Sequence, residues 1–192
     1  MALTAELQKF SDTLSCCTYN GAQHTHVLIE EHDVSATLRK VTLIAGGGDW
    51  FSFCPDKGRG KASLMSPLFA VGNGHDHHRA CDNVTIINQG GRLRVLYIDL
   101  KSSIKPEGYS SQFRSTRQFV RYAIGVLEDL YSTKFILAEE RFVILHGGGK
   151  APLLNKTTTV PKRVKIGSTQ PDKPHKRPVS DKARLYLNEL LA

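Results

Sequence analysis

With 192 residues, 40% of them apolar and 23% charged, the chain has the make-up of a globular protein with one sizeable core and some length to spare. No apolar run approaches the ~20 residues of a membrane span, and the opening MALTAELQKFSDTLSCC lacks the basic and continuous apolar regions of a secretion signal, so a cytoplasmic protein is expected. The formal charge of +8 is uneven: residues 1–149 carry 16 Lys and Arg against 15 Asp and Glu, while residues 150–192 carry 10 against 3.

The first predicted element is a helix, with Leu3, Leu7, Phe10 and Leu14 recurring at steps of four and three. Adjacent Cys16 and Cys17 are a poor start for a disulfide framework, which a chain of this size does not need. Residues 19–26 are polar and turn-like. Residues 26–32 and 36–45 are rich in β-branched side chains and read as strands. Gly46-Gly47-Gly48-Asp49 turns the chain into a short aromatic strand at 50–54, closed by Pro55-Asp56. The glycine- and histidine-rich stretch that follows is long for a loop in a compact domain, a length more often tied to function or disorder.

Beyond it the pattern sharpens. Residues 84–88 and 93–100 are apolar runs joined by Gln89-Gly90-Gly91-Arg92, a hairpin signal. The second run puts Leu93, Val95, Tyr97 and Asp99 on one face and Leu96, Ile98 and Leu100 on the other, as in an interior strand covered on both sides. A helix is predicted over 110–131, capped by Ser110 or Ser111, with a core stripe of Phe113, Thr116, Val120, Ala123, Leu127 and Leu130. Residues 134–138 and 141–145 read as a strand pair or one bent strand, ended by Gly147-Gly148-Gly149. From Lys150 on, five prolines and many lysines describe a basic extended arm that lies on the body, closing with a short amphipathic piece at 183–191. The expected architecture is one α/β domain over 1–149, a central mixed sheet flanked by the two helices, followed by the arm over 150–192.

One constellation carries chemistry. Asp82 starts the first hairpin strand, and Asp99-Leu100-Lys101 ends the second, so the turn can bring two carboxylates and an ammonium together. Asp99 and Lys101 are two apart and share a strand face. Leu100 points into the core while its backbone carbonyl stays available as a metal ligand. Hard Mg²⁺ or Mn²⁺ prefers such oxygen ligands and keeps waters beside them. The metal polarises a phosphoryl oxygen and acidifies its water, and Lys101 positions that water and stabilises the charge that builds up. The bland alternative is a surface Asp99–Lys101 salt bridge with Asp82 as a turn former.

Asp82, the 16-residue gap and Asp99-x-Lys101 resemble the PD-(D/E)xK nuclease superfamily, whose core runs helix, three-stranded meander, helix, strand. Cys81-Asp82 stands where that family often has Pro-Asp, and Gln112 lies early in the next helix, where several subfamilies carry a Gln. Thr116 replaces the Tyr of their Gln-x-x-x-Tyr motif, so that part matches loosely. The resemblance covers about residues 80–147 and identifies no subfamily. It implies a restriction-endonuclease-like core, metal ligation by Asp82, Asp99 and the Leu100 carbonyl, and a site oriented by Gln112. It also implies a further Glu ligand, with Glu6 and Glu31 as the candidates and Glu31 nearer the central strands.

Weaker signals surround this core. His78 or Arg79 can contact substrate phosphate, and Arg114, Arg117 and Arg121 share a helical face able to track a nucleic-acid backbone or simply to be solvated. Lys162 and Arg163 would let the arm grip phosphates. His75-x-His77-His78-x-x-Cys81 has zinc-type ligands in a spacing that matches no common structural site. His146-Gly147-Gly148-Gly149-Lys150 is followed by Ala151, not Ser or Thr, and so is no P-loop. The expected activity is Mg²⁺- or Mn²⁺-dependent cleavage of nucleic acid, DNA rather than RNA. The protein would act as a homodimer or as a subunit of a multi-protein restriction, repair or phage-defence system. The alternatives are an inactive nuclease-fold subunit that binds nucleic acid or a protein partner, and a zinc-stabilised interaction module.

Overall fold

The computed structural model describes residues 2–58, 64–66, 68–70, 76–103, 105–147 and 167–192. Helix α1 (Ala5–Thr13) is capped by Thr4, whose hydroxyl accepts the Leu7 N–H at 3.4 Å. Leu7 and Phe10 then bury completely. Strand β1 (Cys17–Asn20) forms within and ahead of the stretch that reads as a polar turn. Four residues at a sheet edge are too few to show alternation, and pairing with β4 (Trp50–Phe53) is what makes them a strand.

The main sheet runs in the order β1-β4-β5-β6-β7-β8, with β5 (Asn83–Gln89), β6 (Arg92–Lys101), β7 (Ile136–His146) and β8 (His175–Pro178). It is antiparallel as far as β6 and parallel from there to β8, so the molecule is α/β with a mixed sheet flanked by helices. The β5–β6 hairpin turns on Gly90 (φ 64°) and Gly91 (φ 80°), the two left-handed positions that a two-residue hairpin needs. β7 is one strand, with a register shift opposite Leu93 and Arg94 that places the extra residue near Ala138.

β6 has the two-sided burial its alternation implies. Leu93, Val95 and Tyr97 enter a core with α1 and helix α3 (Tyr109–Tyr131), while Leu96, Ile98 and Leu100 enter a second core. That second core is roofed by a separate three-stranded sheet, β2 (His26–Glu30), β3 (Lys40–Ile44) and β9 (Ala183–Tyr186), and not by either long helix. Both long helices therefore lie on one face. α3 begins at Gly108, whose φ of 72° is left-handed, and no side chain caps it. Ser110 and Ser111 sit inside the first turn, and the Ser111 hydroxyl donates to Asp76 at 2.5 Å. Leu130, at the margin of the helix stripe, is 72% exposed, and Ile124 takes its place in the core.

The basic C-terminal residues that are described lie on the body as strands. The 183–191 piece folds as β9 and the short helix α4 (Leu187–Leu190), and it buries Leu185, Leu187, Leu190 and Leu191. Residues 148–166, including Lys162 and Arg163, lie outside the described residues. Among the described residues no helix is long and apolar enough to cross a membrane.

One glycine ties β7 to the end of β6. The Gly147 N–H donates to the Lys101 carbonyl at 2.8 Å, and a Cβ there would stand 2.5 Å from the Ser102 carbonyl oxygen. Gly147→Ala should lower stability by about 1–3 kcal/mol, because backbone must move to admit the methyl group. Urea unfolding measures it, and an unchanged midpoint would contradict the close approach.

Candidate active site

The β5–β6 ladder sets the site. Asn83 pairs with Ile98, so one further step places Asp82 opposite Asp99. The Asp82 Oδ2 accepts the Leu100 N–H at 2.6 Å. In an extended strand a residue's N–H and C=O leave on the same side, so the Leu100 carbonyl also faces the Asp82 edge. Period two then aims Asp99 and Lys101 at the helix face, where Gln112 projects from the first turns of α3. The Lys101 Nζ donates to Gln112 Oε1 at 2.9 Å, and Gln112 Nε2 donates to the Ala80 carbonyl at 3.1 Å. Gln112 thus fixes the ammonium by holding its own amide against the loop that precedes Asp82.

Asp99 is completely buried. The Lys101 Nζ stands 2.7 Å from its Oδ2, as an ion pair without hydrogen-bond alignment, and neither carboxylate oxygen has a hydrogen-bond partner among the described residues. Burial pushes the Asp99 carboxyl up to about 6, against the opposing pull of Lys101. Burial, and then the charge on Asp99, also holds Asp82 well above the usual carboxylate range. Two like charges face each other across one ladder rung, a poor arrangement for stability and a good one for gripping a cation.

A cavity of about 250 Å³ opens beside Asp82, lined by Glu31, Asp56, Arg79, Ala80, Asp82 and Gln112. It brings in Glu31, whose charge acts on both aspartates, from just beyond β2. It also brings in Asp56, which nothing in the local sequence singles out: Pro55-Asp56 signals only the end of a strand, yet it opens the short helix α2 (Pro55–Gly58) at the cavity wall. A larger cavity, about 570 Å³, lies at the start of α3 beside Lys105 and Lys176. Its carboxylates, Glu107 and Asp172, are not those of the β5–β6 rung, whereas Asp82 lines the smaller cavity, which is therefore the candidate site.

As a metal seat the donor set is an oxygen set: two carboxylates, with Asp99 ion-paired to Lys101, and a strand carbonyl on the same side. That fits a hard divalent ion that keeps several waters. Among the described residues no group of three His, Cys, Asp or Glu is placed to hold a metal, so this seat rests on two carboxylates and not on a closed cage.

The outlying residues divide. Arg79 lines the cavity while its Nε pairs with Asp76 at 2.7 Å. His78 is buried, takes the Met65 N–H on Nδ1 at 3.2 Å and turns Nε2 to the Ala70 carbonyl at 3.2 Å, so it is fastened to its own loop and does not present a face to phosphate. Arg117 is likewise committed: its Nε donates to Glu140 at 2.9 Å, and Arg121 shares that carboxylate, because the described helix face lies against β7. Arg114 remains exposed on α3. His77 also turns to the Ala70 carbonyl, at 2.9 Å, and the buried Cys81 thiol donates to the Asn83 carbonyl, so these groups do not converge on a zinc site; His75 lies outside the described residues.

Gln112→Ala should free the Lys101 ammonium and reduce any turnover by roughly 10–100-fold while leaving the melting temperature nearly unchanged. Steady-state rates beside thermal melts separate the two effects, and an equal loss in both would make Gln112 a packing residue. No protein-family model, no curated protein and no solved structure matches this chain, so the geometry above carries the functional reading alone.

Proposed function

We propose that the protein is a divalent-metal-dependent nuclease of the PD-(D/E)xK kind, with a restriction-endonuclease-like core made of α1, the β4–β5–β6 meander, α3 and β7. The observation that carries this is Asp99: a fully buried carboxylate that faces a second carboxylate, Asp82, and is ion-paired to Lys101 without a hydrogen bond among the described residues. A folded protein rarely keeps such a group without a use for it. Asp82, Asp99 and the Leu100 carbonyl would hold Mg²⁺ or Mn²⁺, with Glu31 able to reach it through water. When bound, the ion supplies Lewis-acid polarisation of the phosphodiester and a more acidic water. Lys101, fixed by Gln112, would hold the attacking water by its ammonium and offset the negative charge that gathers on the phosphoryl oxygens. Arg79 at the cavity wall pairs with a flanking phosphate in exchange for Asp76. The substrate we favour is DNA over RNA. The protein would act in the cytoplasm, as a homodimer or within a multi-protein restriction, repair or defence system that supplies specificity.

A second reading draws on the Lys101–Asp99 ion pair and on the want, among the described residues, of a third close ligand: an inactive nuclease-fold subunit that binds nucleic acid or a protein partner. Purified protein incubated with plasmid and with single-stranded DNA, in Mg²⁺, in Mn²⁺ and in EDTA, decides between them. Cleavage that needs the metal and disappears in Asp82→Asn supports the nuclease. DNA binding with no cutting under any metal supports the inactive subunit, and cutting that persists in the variant defeats the proposed site.

A further inference from the structure

A second reactive feature lies on the far side of β4, in a pair of cysteines that are distant in sequence. Cys17 pairs with Phe53 in the antiparallel β1–β4 ladder, so the residue before Cys17 lies opposite the residue after Phe53. Those residues are Cys16 and Cys54. They stand one step beyond the last rung of that ladder, where a continued antiparallel pair has Cα atoms about 4.5–5.5 Å apart, inside the span that a disulfide bridges. Both thiols are free and only half-buried. They lie close enough that the charge on Cys54 raises the cost of ionising Cys16.

The other two cysteines are placed differently. The Cys17 sulfur takes the Ser11 hydroxyl at 3.2 Å, and Cys81 is completely buried with its thiol on the Asn83 carbonyl. Cys54 has a special position. It immediately precedes α2, and its sulfur receives the Lys57 amide. It therefore sits at the mouth of the short helix whose Asp56 lines the site cavity.

We propose that Cys16 and Cys54 form a reversible cross-strand disulfide, a thiol modification site that fastens the entry of β1 to the start of α2. The oxidant is a small disulfide of the glutathione class. The Cys54 thiolate, its proton given to solvent, attacks that disulfide, forming a mixed disulfide and releasing one small thiolate. The Cys16 thiolate then attacks the Cys54 sulfur, closing the intrachain bond and releasing the second. Two protein thiols are oxidised, one small disulfide is reduced to two thiols, and the two protons end on the released thiolates. Burial raises both thiols, Cys16 to about 11, so few thiolates are present and the bond closes slowly even when the small disulfide is in excess.

The test uses the full chain, incubated with oxidised glutathione and then denatured under alkylating quench. The expected result is a fall from four alkylatable thiols to two, an intact mass lower by two hydrogens, and a non-reduced digest in which the Cys16 peptide is joined to the Cys54 peptide. Reductant should restore all four. Cys16→Ser should stop at the glutathione adduct on Cys54 with an unchanged thermal melt, which makes Cys16 the resolving group in a fold that survives the substitution. Four thiols that persist under excess oxidant, a bridge through Cys17 or Cys81, or a link between two chains would each overturn the proposal. None of these readouts depends on nuclease activity.

Discussion

Asp99→Asn is expected to make the protein more stable at neutral pH while removing metal-dependent cleavage. The carboxyl titrates at about 6 in the fold, above its ordinary value of 3.8, even with Lys101 against it. A carboxyl whose folded value is raised binds more protons in the native state than in the unfolded one, so stability falls as pH rises. The loss begins near the unfolded value and is complete above the folded one, between roughly pH 4 and 7. A shift of this size corresponds to about 3 kcal/mol at pH 7, on the order of several degrees in melting temperature for a chain of this length. Asparagine keeps the shape, carries no charge, can accept from Lys101 and can donate to Asp82. Melts at pH 5 and pH 7.5 should show the parent losing stability with pH and the variant losing much less. Mg²⁺ or Mn²⁺ should raise the parent's melting temperature more at pH 7.5 than at pH 5, and should do little for the variant. Cleavage should fall by about 10²–10³-fold or more. A variant less stable than the parent at both pH values would show that the ionised carboxylate is a structural asset, and the case for a cation seat would go with it.

The second large effect runs the other way. Lys101→Met removes the ammonium that stands 2.7 Å from Asp99 and leaves a fully buried carboxylate without its counter-charge. Breaking such a pair from one side is expected to destabilise the fold by about 3–5 kcal/mol at neutral pH, because the orphaned charge keeps its desolvation penalty. At pH 5 the carboxyl is largely protonated and the loss should be smaller. The double variant Lys101→Met with Asp99→Asn should recover most of the difference, since no buried charge is left to stabilise. A double-mutant cycle in urea measures the coupling. A coupling within a few tenths of a kcal/mol of zero would mean that the two side chains do not act on each other.

Much of the scaffold was written locally. The alternation of 93–100 told that β6 is covered on both faces, and Leu93, Val95 and Tyr97 do enter a different core from Leu96, Ile98 and Leu100. Paired glycines at 90 and 91 set a two-residue hairpin, and that turn is what brings Asp82 opposite Asp99. The facing carboxylates, Lys101 and Gln112 were therefore legible, because a short hairpin and a following helix leave few registers to choose from.

What the chain order concealed depends on contacts that no local pattern encodes. β1 is a strand only because β4 lies beside it, and β9 only because β3 does, with 138 residues between the end of β3 and the start of β9. Burial in the second core, not charge or proline content, decides the fate of the described C-terminal residues. Arg117 and His78 look free in sequence, yet Glu140 and the loop around Ala70 hold them. Asp56, Glu31 and the Cys16–Cys54 juxtaposition likewise come from packing of strands far apart in the chain. Side-chain period and turn chemistry act over a few residues and can be read one segment at a time. Which segments meet is settled by burying apolar faces together, and only the folded chain records that.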